Sequence, residues 1–316
     1  MSRTVTQKGN RKAGCIVNAK KRRLRMQISR LHFATIICAV TIAAGTTYAQ
    51  PGRVDSDHYV AVGNCKLHYR TGGTGPYLLM LHGFTLSSEQ WLEYFDDFSS
   101  DYTVIAFDLP GHGKSDRHDG AFSYEHWAEL ILQALERLDV HAVFGMGHSA
   151  GAITLLYMAD KKPQLFKGLV LVAGSPVMST AGRDMLLYDS FEKADAPMQT
   201  YYMGIHFGDT TKIKEIFSDV RFMASQVPTL GDHPPIMERL KQFTAPVFMV
   251  WGDRDPYFPM EITTTLYKTF PNAQLWVIPF QGHAPVWETF GADAATTERF
   301  AESVRRFLSA SNSQYK

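Results

Sequence analysis

The amino-acid sequence predicts an α/β protein built on an open, mostly parallel sheet of eight strands that is flanked by helices. Two observations support this fold class: short apolar runs recur along the chain, and segments with a helical apolar stripe lie between the later runs. Short, nearly uninterrupted apolar runs are typical of strands buried on both faces of a parallel sheet. Their alternation with amphipathic helices is typical of an open α/β sheet.

The predicted strands begin with an antiparallel hairpin, His58–Val62 and Lys66–Arg70, joined near Gly63. The buried strands that follow are Tyr77–Leu81, Thr103–Phe107, Ala142–Gly147, Gly168–Ala173, Val247–Trp251 and Gln274–Pro279. The clearest helix is Ser123–Leu138, whose apolar residues recur at spacings of three and four and which has Ser123 as a suitable N-cap. Further core helices are predicted at Ala150–Ala159, Glu261–Phe270 and Ala294–Leu308.

One long segment interrupts this alternation. Residues 174–243 contain no convincing strand pattern but are rich in Tyr, Phe and Met. They are predicted to form a helical lid, inserted into a core that comprises residues 50–173 and 244–316. Their apolar content exceeds what a solvent-facing loop exposes, so part of it is expected to face inward over the core.

A basic stretch and a short apolar run open the sequence. Residues 1–49 hold ten Lys and Arg residues and no acidic residue. The uncharged run Phe33–Ala44 is too short to span a bilayer comfortably, and small residues lead from it to Ala49. This order is typical of a signal peptide cleaved after Ala49; an uncleaved anchor is the alternative. Met26 is an alternative start, because Met26 to Ala49 alone make a compact signal. We therefore expect an exported protein, periplasmic or extracellular, without a stable membrane anchor.

The charge of the remaining chain argues against a nucleic-acid partner. Of the 32 basic and 31 acidic residues, 22 basic and 31 acidic ones follow residue 49, a formal charge of −9. A nucleic-acid partner would require a basic surface. Cys65 is the one cysteine beyond the leader, so an internal disulfide is not expected. The histidines show no metal-ligand spacing, and no cofactor or metal is expected. The oligomeric state stays open.

The strongest local motif is Gly147-His148-Ser149-Ala150-Gly151, between a predicted strand and a predicted helix. A serine on such a tight turn projects its hydroxyl above the sheet edge, and the following helix N-terminus favours negative charge. The motif therefore predicts Ser149 as a nucleophile. The stretch from Gly145 also fits a dinucleotide-binding fingerprint, but that site needs an acidic residue after the next strand. Gly174-Ser175-Pro176 stands there instead.

A nucleophilic serine needs a base and an acid that orients the base. Two motifs supply candidates: Gly252-Asp253-Arg254-Asp255 and Gly282-His283 each follow a predicted strand directly. Open α/β sheets build their sites at the carboxyl ends of strands. His283 is therefore the candidate base, rather than a histidine of a surface loop, and the acid is Asp253 or Asp255.

Two backbone N–H groups are candidates for stabilising an oxyanion. Leu81-His82-Gly83-Phe84 follows the strand Tyr77–Leu81 and makes a turn at Gly83. The N–H of Phe84 there and the N–H of Ala150 after Ser149 form the predicted oxyanion hole.

These motifs, with Asp108-Leu109-Pro110-Gly111-His112-Gly113-Lys114-Ser115, span nearly all of the chain beyond the leader. In them the chain resembles the α/β-hydrolase superfamily, near its lipases and esterases with a lid after the sixth strand. The resemblance implies the α/β-hydrolase fold and the chain order Ser, Asp, His. It assigns Asp255 as the acid, and gives His82, Asp108, His112 and Asp116 loop-shaping roles. Dehalogenases and epoxide hydrolases of this fold carry Asp where Ser149 stands.

The resemblance implies a cofactor-free serine hydrolase, and a small hydrophobic carboxylic ester is the expected substrate. A lactone, an amide, a carbon–carbon bond next to a ketone, acyl transfer and perhydrolysis are alternatives that the same triad serves. A small-molecule receptor that keeps the triad is an alternative from a different class. Residues expected to contact substrate are Trp91, Trp287, Tyr188, Tyr201, Tyr202 and Phe222. For Trp91 and Trp287, packing beneath the site is an equally good interpretation.

Overall fold

An eight-stranded sheet forms the centre of the computed structural model, which describes residues 57–117 and 119–313. The predicted signal peptide and the alternative start at Met26 lie outside these residues. The strands are β1 (Asp57–Val62), β2 (Cys65–Gly72), β3 (Tyr77–Leu81), β4 (Thr103–Phe107), β5 (Val143–His148), β6 (Phe166–Val172), β7 (Val247–Gly252) and β8 (Ala273–Ile278). The α-helices in the described ranges are α1 (Leu92–Ser99), α2 (Tyr124–Arg137), α3 (Ala150–Lys161), α4 (Thr180–Leu187), α5 (Ala196–Ile205), α6 (Thr210–Gln226), α7 (Pro235–Leu240), α8 (Met260–Thr269) and α9 (Ala294–Ser313).

The strand order confirms the predicted, mostly parallel sheet. The order is β1-β2-β4-β3-β5-β6-β7-β8. β1 pairs with β2, and β2 with β4, in antiparallel fashion, and every later pair is parallel. The predicted hairpin is present, with Val62 opposite Cys65 next to its turn. The parallel strands therefore present their carboxyl ends at one edge of the sheet.

The burial of the strands agrees with their apolar sequences. Every residue of β5 and of β7 is buried, because helices cover both faces of the sheet. The edge strand β8 is only partly buried. The predicted helix from Ser123 forms as α2, and the Ser123 side chain accepts a hydrogen bond from the His126 N–H, as an N-cap does.

Helices α4, α5, α6 and α7 occupy the segment between β6 and β7, where the sequence predicts an insertion. Two backbone hydrogen bonds join the two ends of its larger part. Met178 N–H donates to Pro228 O at 2.9 Å, and Leu230 N–H donates to Met178 O at 3.1 Å. We call this pairing the neck; it encloses α4, α5 and α6, residues 179–227.

The described residues contain no helix that combines the length and apolar character needed to cross a membrane. Within the same residues, no group of three or more His, Cys, Asp and Glu side chains is arranged to hold a metal ion.

Candidate active site

Ser149 stands between β5 and α3 on a sharply turned backbone. Its φ of 50° and ψ of −115° lie outside the regions that a residue with a Cβ atom prefers. The flanking glycines permit this turn: a Cβ on Gly147 would lie 2.6 Å from Ala152 N, and one on Gly151 would lie 2.1 Å from Leu81 O. Close packing between β3, β5 and α3 maintains this strained backbone. The turn places the Ser149 hydroxyl above the sheet edge.

Ser149, His283 and Asp255 form a hydrogen-bonded chain. The Ser149 hydroxyl lies 2.9 Å from His283 Nε2, and His283 Nδ1–H donates to Asp255 Oδ2 at 2.9 Å. The His283 side chain is 22% exposed, whereas the Asp255 side chain is fully buried. A buried acid with an imidazole between it and a hydroxyl is the arrangement that lets the imidazole accept the hydroxyl proton.

Asp255, rather than Asp253, contacts the histidine. The other oxygen of Asp255, Oδ1, accepts hydrogen bonds from Tyr257 N–H at 2.8 Å and Phe258 N–H at 3.1 Å. The Asp253 side chain is 30% exposed and lies 3.6 Å from Arg254 Nε. Of the two acids that spacing alone left open, Asp255 is the one that lies against His283, and its role as the acid stays a prediction.

The loops that carry the acid and the base touch through their backbones. A Cβ on Gly252, at the end of β7, would lie 2.2 Å from Gly282 O, next to His283. Arg254 N–H donates to Gln281 O at 2.9 Å. The spacing between Asp255 and His283 is therefore set by backbone contact between the two loops.

Aromatic rings surround the His283 imidazole on several sides. The ring centroids of Tyr257, His148 and Phe258 lie 4.7, 5.1 and 5.7 Å from that of His283. Tyr257 and Phe258 therefore support His283 in two ways. Their N–H groups bind Asp255, and their rings restrict the imidazole. The motifs do not point to either residue, although both follow Asp255 closely in the sequence.

The two predicted oxyanion donors both have unengaged N–H groups. Ala150 is the first residue of α3, and the first N–H groups of a helix lack an intrahelical acceptor. The Phe84 N–H donates to no acceptor in the part of the chain that the structure describes. The Phe84 ring packs 5.1 Å from Phe122 and 5.2 Å from Trp127, so core contacts hold its side chain. These features suit an oxyanion hole, which stays a prediction for both residues.

A second hydrogen-bonded chain links the turn at Gly83 to the loop of the base. Gly83 N–H donates to Gln90 Oε1 at 3.0 Å, Gln90 Nε2–H donates to His148 Nδ1 at 2.9 Å, and His148 Nε2–H donates to His283 O at 3.1 Å. Burial, with the proximity of His283, holds the pKa of His148 well below its ordinary value. His148 is therefore neutral, and these hydrogen bonds fix the orientation of the Gln90 amide and of the His148 imidazole. No sequence signal points to Gln90.

The loops after β3 and β4 take their shape from buried polar groups. Asp108 accepts hydrogen bonds from Ser88 N–H at 2.7 Å, Lys114 N–H at 2.8 Å and His68 Nδ1–H at 2.7 Å. Burial alone would raise the pKa of the Asp108 carboxyl, but the hydrogen bond and charge of His68 outweigh it and the pKa is lowered. Asp116 Oδ2 accepts from Lys66 N–H at 3.0 Å. These contacts are loop-shaping, as the resemblance implied.

Three buried histidines join these loops to the insertion. The rings of His82 and His112 lie 5.2 Å apart, and those of His112 and His206 lie 6.1 Å apart. Burial lowers the pKa of His82 to about 4, lowers that of His112 further, and also lowers that of His206. The three rings are therefore neutral at pH 7.

This cluster predicts a loss of stability in mild acid. An unfolded histidine titrates near 6.5. Between pH 6.5 and about 4, His82 binds a proton in the unfolded chain but stays neutral in the folded protein. The free energy of unfolding therefore falls as the pH falls. His82 alone is expected to lower the free energy of unfolding by about 3 kcal/mol near pH 4. Urea unfolding at pH 7 and at pH 4.5 measures it.

Two substitutions separate this effect from the titration of carboxylates. His82→Gln should reduce the difference in unfolding free energy between the two pH values. His141→Gln is the matched control, because the His141 side chain is 73% exposed, and it should leave the difference unchanged. An equal pH difference in wild type and His82→Gln would contradict the prediction.

The structure places the two predicted tryptophans in the core. Trp91 is 0% and Trp287 is 1% exposed, and their rings make an edge contact at 5.3 Å. The Trp287 indole N–H donates to Gln90 O at 3.1 Å, and its ring lies 4.7 Å from that of His148. These positions fit packing beneath the site, the other interpretation that the sequence allowed.

The four aromatic residues predicted in the insertion occupy different surroundings. Tyr201 lies 5.9 Å from Phe290, ring to ring, and Tyr202 lies 5.5 Å from Phe217. Tyr188 is 73% exposed and lines a depression of about 410 Å³ beside charged side chains such as Lys193. Only Phe222, among these four, lines the mainly apolar cavity described next.

A cavity of about 320 Å³ lies between α6 and the core. Its walls include Phe222 from the insertion and Ile153 and Ser175 from the core. Ile153 N–H donates to Ser149 O at 3.0 Å, and a Cβ on Gly174, next to Ser175, would lie 2.5 Å from the same oxygen. Ile153 in the cavity wall and Gly174 next to Ser175 therefore both approach the Ser149 backbone, although Ser149 itself does not line the cavity.

Comparison with known proteins agrees with this fold. A family model described as the alpha/beta hydrolase fold matches residues 76–202. A curated relative, the pimeloyl-[acyl-carrier protein] methyl ester esterase of Vibrio parahaemolyticus, is 24% identical in an alignment 269 residues long that covers 75% of this chain and 98% of the relative.

Solved structures show the same fold. A thermophilic esterase from Thermogutta terrifontis superposes with a TM-score of 0.65 at 19% identity, covering 81% of this chain and 99% of the esterase. The enol-lactonase from Burkholderia xenovorans superposes with a TM-score of 0.64 at 15% identity, covering 80% of this chain and 100% of the lactonase. The chain therefore has the α/β-hydrolase fold, and its similarity to hydrolases of that fold supports a hydrolase activity.

Proposed function

We propose that the protein hydrolyses small hydrophobic carboxylic esters through an acyl-enzyme. Ser149 Oγ attacks the acyl carbon while His283 Nε2 takes the hydroxyl proton. The Phe84 and Ala150 N–H groups stabilise the tetrahedral oxyanion. His283 returns the proton to the leaving alkoxide oxygen as the ester bond breaks. A water molecule then attacks the acyl-enzyme, again through His283, which releases the acid and restores the Ser149 hydroxyl.

The observation that carries this proposal is the chain of hydrogen bonds from Ser149 through His283 to Asp255, with 2.9 Å at each step. Its geometry supplies a nucleophile, a base within reach and an acid that fixes the imidazole tautomer. The methyl ester esterase relative supports an ester as the substrate. The enol-lactonase shares only the fold, and lactones accordingly belong in the test as a competing substrate class.

The test combines covalent labelling with turnover. A fluorophosphonate should label one site per chain at Ser149, and p-nitrophenyl esters should be hydrolysed catalytically. Lactones, amides and 1,3-diketone-type substrates of equal size measure the competing bond types. Labelling without turnover on the whole panel would contradict the enzyme proposal and favour a receptor that keeps the triad. Faster turnover of lactones or amides than of esters would overturn the ester assignment.

The cavity beside Phe222 predicts a preference for acyl length. Apolar cavities of a few hundred Å³ are typical of small-molecule sites, and this one has a volume of about 320 Å³. We expect kcat/KM to peak at medium-length p-nitrophenyl esters, between acetate and palmitate. Phe222→Ala should enlarge the cavity and move the peak to longer chains.

The exposed Tyr188 gives a matched control from the same insertion. Tyr188→Ala removes a ring that is 73% exposed and should leave the chain-length profile unchanged. The profiles of Tyr201→Ala and Tyr202→Ala measure the contribution of the two tyrosines near the core loops. If all four variants folded and kept the wild-type profile, the insertion would not set specificity.

A further inference from the structure

The turn that carries Phe84 contains a strained threonine. Leu86 N–H donates to Gly83 O at 3.2 Å, which closes a four-residue turn with Phe84 and Thr85 at its centre. Thr85 has a φ of 66°, and a turn with positive φ at this position is the type II pattern, which favours glycine. A β-branched residue there is strained, so the turn needs support from outside.

His206 provides a contact of that kind from the insertion. It follows α5, is 1% exposed, and lies between two core loops. His206 Nε2–H donates to Thr85 O at 2.9 Å, and Gly113 N–H donates to His206 Nδ1 at 3.1 Å. Because Nδ1 accepts a hydrogen bond, the ring proton stays on Nε2, and both bonds are satisfied by the neutral imidazole.

The partner loop of His206 is itself held by the insertion. Lys212, in the first turn of α6, donates through Nζ to Gly113 O at 2.8 Å and to Ser115 O at 3.1 Å. Gly113 is therefore bonded to the insertion through both its N–H and its carbonyl. The imidazole of His206 is anchored on one side and can hold the Thr85 carbonyl on the other.

We propose that His206 is a positioning residue for the oxyanion hole, acting through Thr85 on the Phe84 N–H; this rests on the proposed function. Oxyanion donors stabilise the transition state because they are fixed before the reaction. Without His206, Thr85 relaxes towards negative φ, and the turn that carries the Phe84 N–H changes shape. The contact therefore affects kcat more than it affects substrate binding.

Four variants test this on the substrate that wild type hydrolyses best. His206→Leu removes both hydrogen bonds and should lower kcat by about 10-fold or more, less than the 10²–10³-fold expected for losing an oxyanion donor outright, with KM changed less than about 2-fold. His206→Gln keeps one amide acceptor and one amide donor and should retain most of kcat. Thr85→Gly, which adopts positive φ without strain, should reduce the effect of His206→Leu in the double variant. His233→Leu, an exposed histidine of the insertion, is the control and should keep wild-type kcat.

The outcomes separate this proposal from the proposed function. Wild-type kcat in folded His206→Leu overturns the positioning role while leaving the ester hydrolase intact. Equal losses in His206→Gln and His206→Leu, with no recovery from Thr85→Gly, also overturn it, because they indicate a general packing defect. If His206→Leu does not fold, His206→Gln with and without Thr85→Gly gives the same comparison. Absence of turnover in wild type overturns both proposals.

Discussion

Replacing Ser149 with alanine lowers kcat by about 10⁴-fold or more, while the chain stays folded. Alanine removes the oxygen that lies 2.9 Å from His283 Nε2. It keeps the Cβ atom, so the backbone at φ 50° is as strained in the variant as in wild type. The measurement is kcat on the best p-nitrophenyl ester, with circular dichroism and thermal unfolding as checks of folding.

His283→Ala should cost nearly as much, and the double variant should cost little more than either single one. Residues that act as one unit give strongly non-additive losses. The remaining rate in all three variants should come from the oxyanion hole and substrate binding. Retention of more than about 1% of wild-type kcat in Ser149→Ala, against the loss expected for a triad serine, would show that another group is the nucleophile.

Asp255→Asn is expected to lower kcat by about 10⁴-fold, through the wrong imidazole tautomer. Two N–H groups, of Tyr257 and Phe258, face Oδ1 of the carboxylate. These N–H groups will donate to the amide oxygen of the new asparagine, so its NH₂ group will point towards His283. The NH₂ group donates to Nδ1, the ring proton moves to Nε2, and Nε2 can no longer accept the proton of Ser149.

Asp253→Asn is the matched control two residues away. Its side chain is 30% exposed, and its ionic neighbour is Arg254 rather than His283, so kcat should change by a few-fold at most. A pH profile of kcat/KM for both variants locates the titration of the base. If Asp253→Asn were the more damaging change, the assignment of the acid to Asp255 would be wrong.

The sheet and the positions of the site residues could be predicted because both leave local patterns. Ser149, Asp255 and His283 each follow a short apolar strand, and parallel strands bring their carboxyl ends to one edge. The glycines beside Ser149 and at Gly252 are also visible in the sequence, since close backbone contact at these points excludes a Cβ. What fixes these elements lies within a few residues of each motif.

The supporting contacts could not be predicted because their partners are distant and carry no signature. Gln90 binds His148 across 58 residues of sequence, and His206 binds Thr85 across 121. In the second case the partner is a backbone carbonyl, which every residue possesses. The burial of Trp91 and Trp287 likewise depends on packing between segments nearly 200 residues apart, as the bond from Trp287 to Gln90 O shows.

The neck at Met178 has a consequence for how such chains diversify. Its two hydrogen bonds bring the ends of residues 179–227 side by side, so the enclosed helices begin and end at nearly the same place. The entropy of closing a loop grows only slowly with its length. Helices can therefore be lengthened, shortened or exchanged between relatives at this neck without changing the register of the sheet. A transplanted segment would still have to bring donors to the carbonyls of Thr85, Gly113 and Ser115, so these few contacts set a requirement that every graft has to meet.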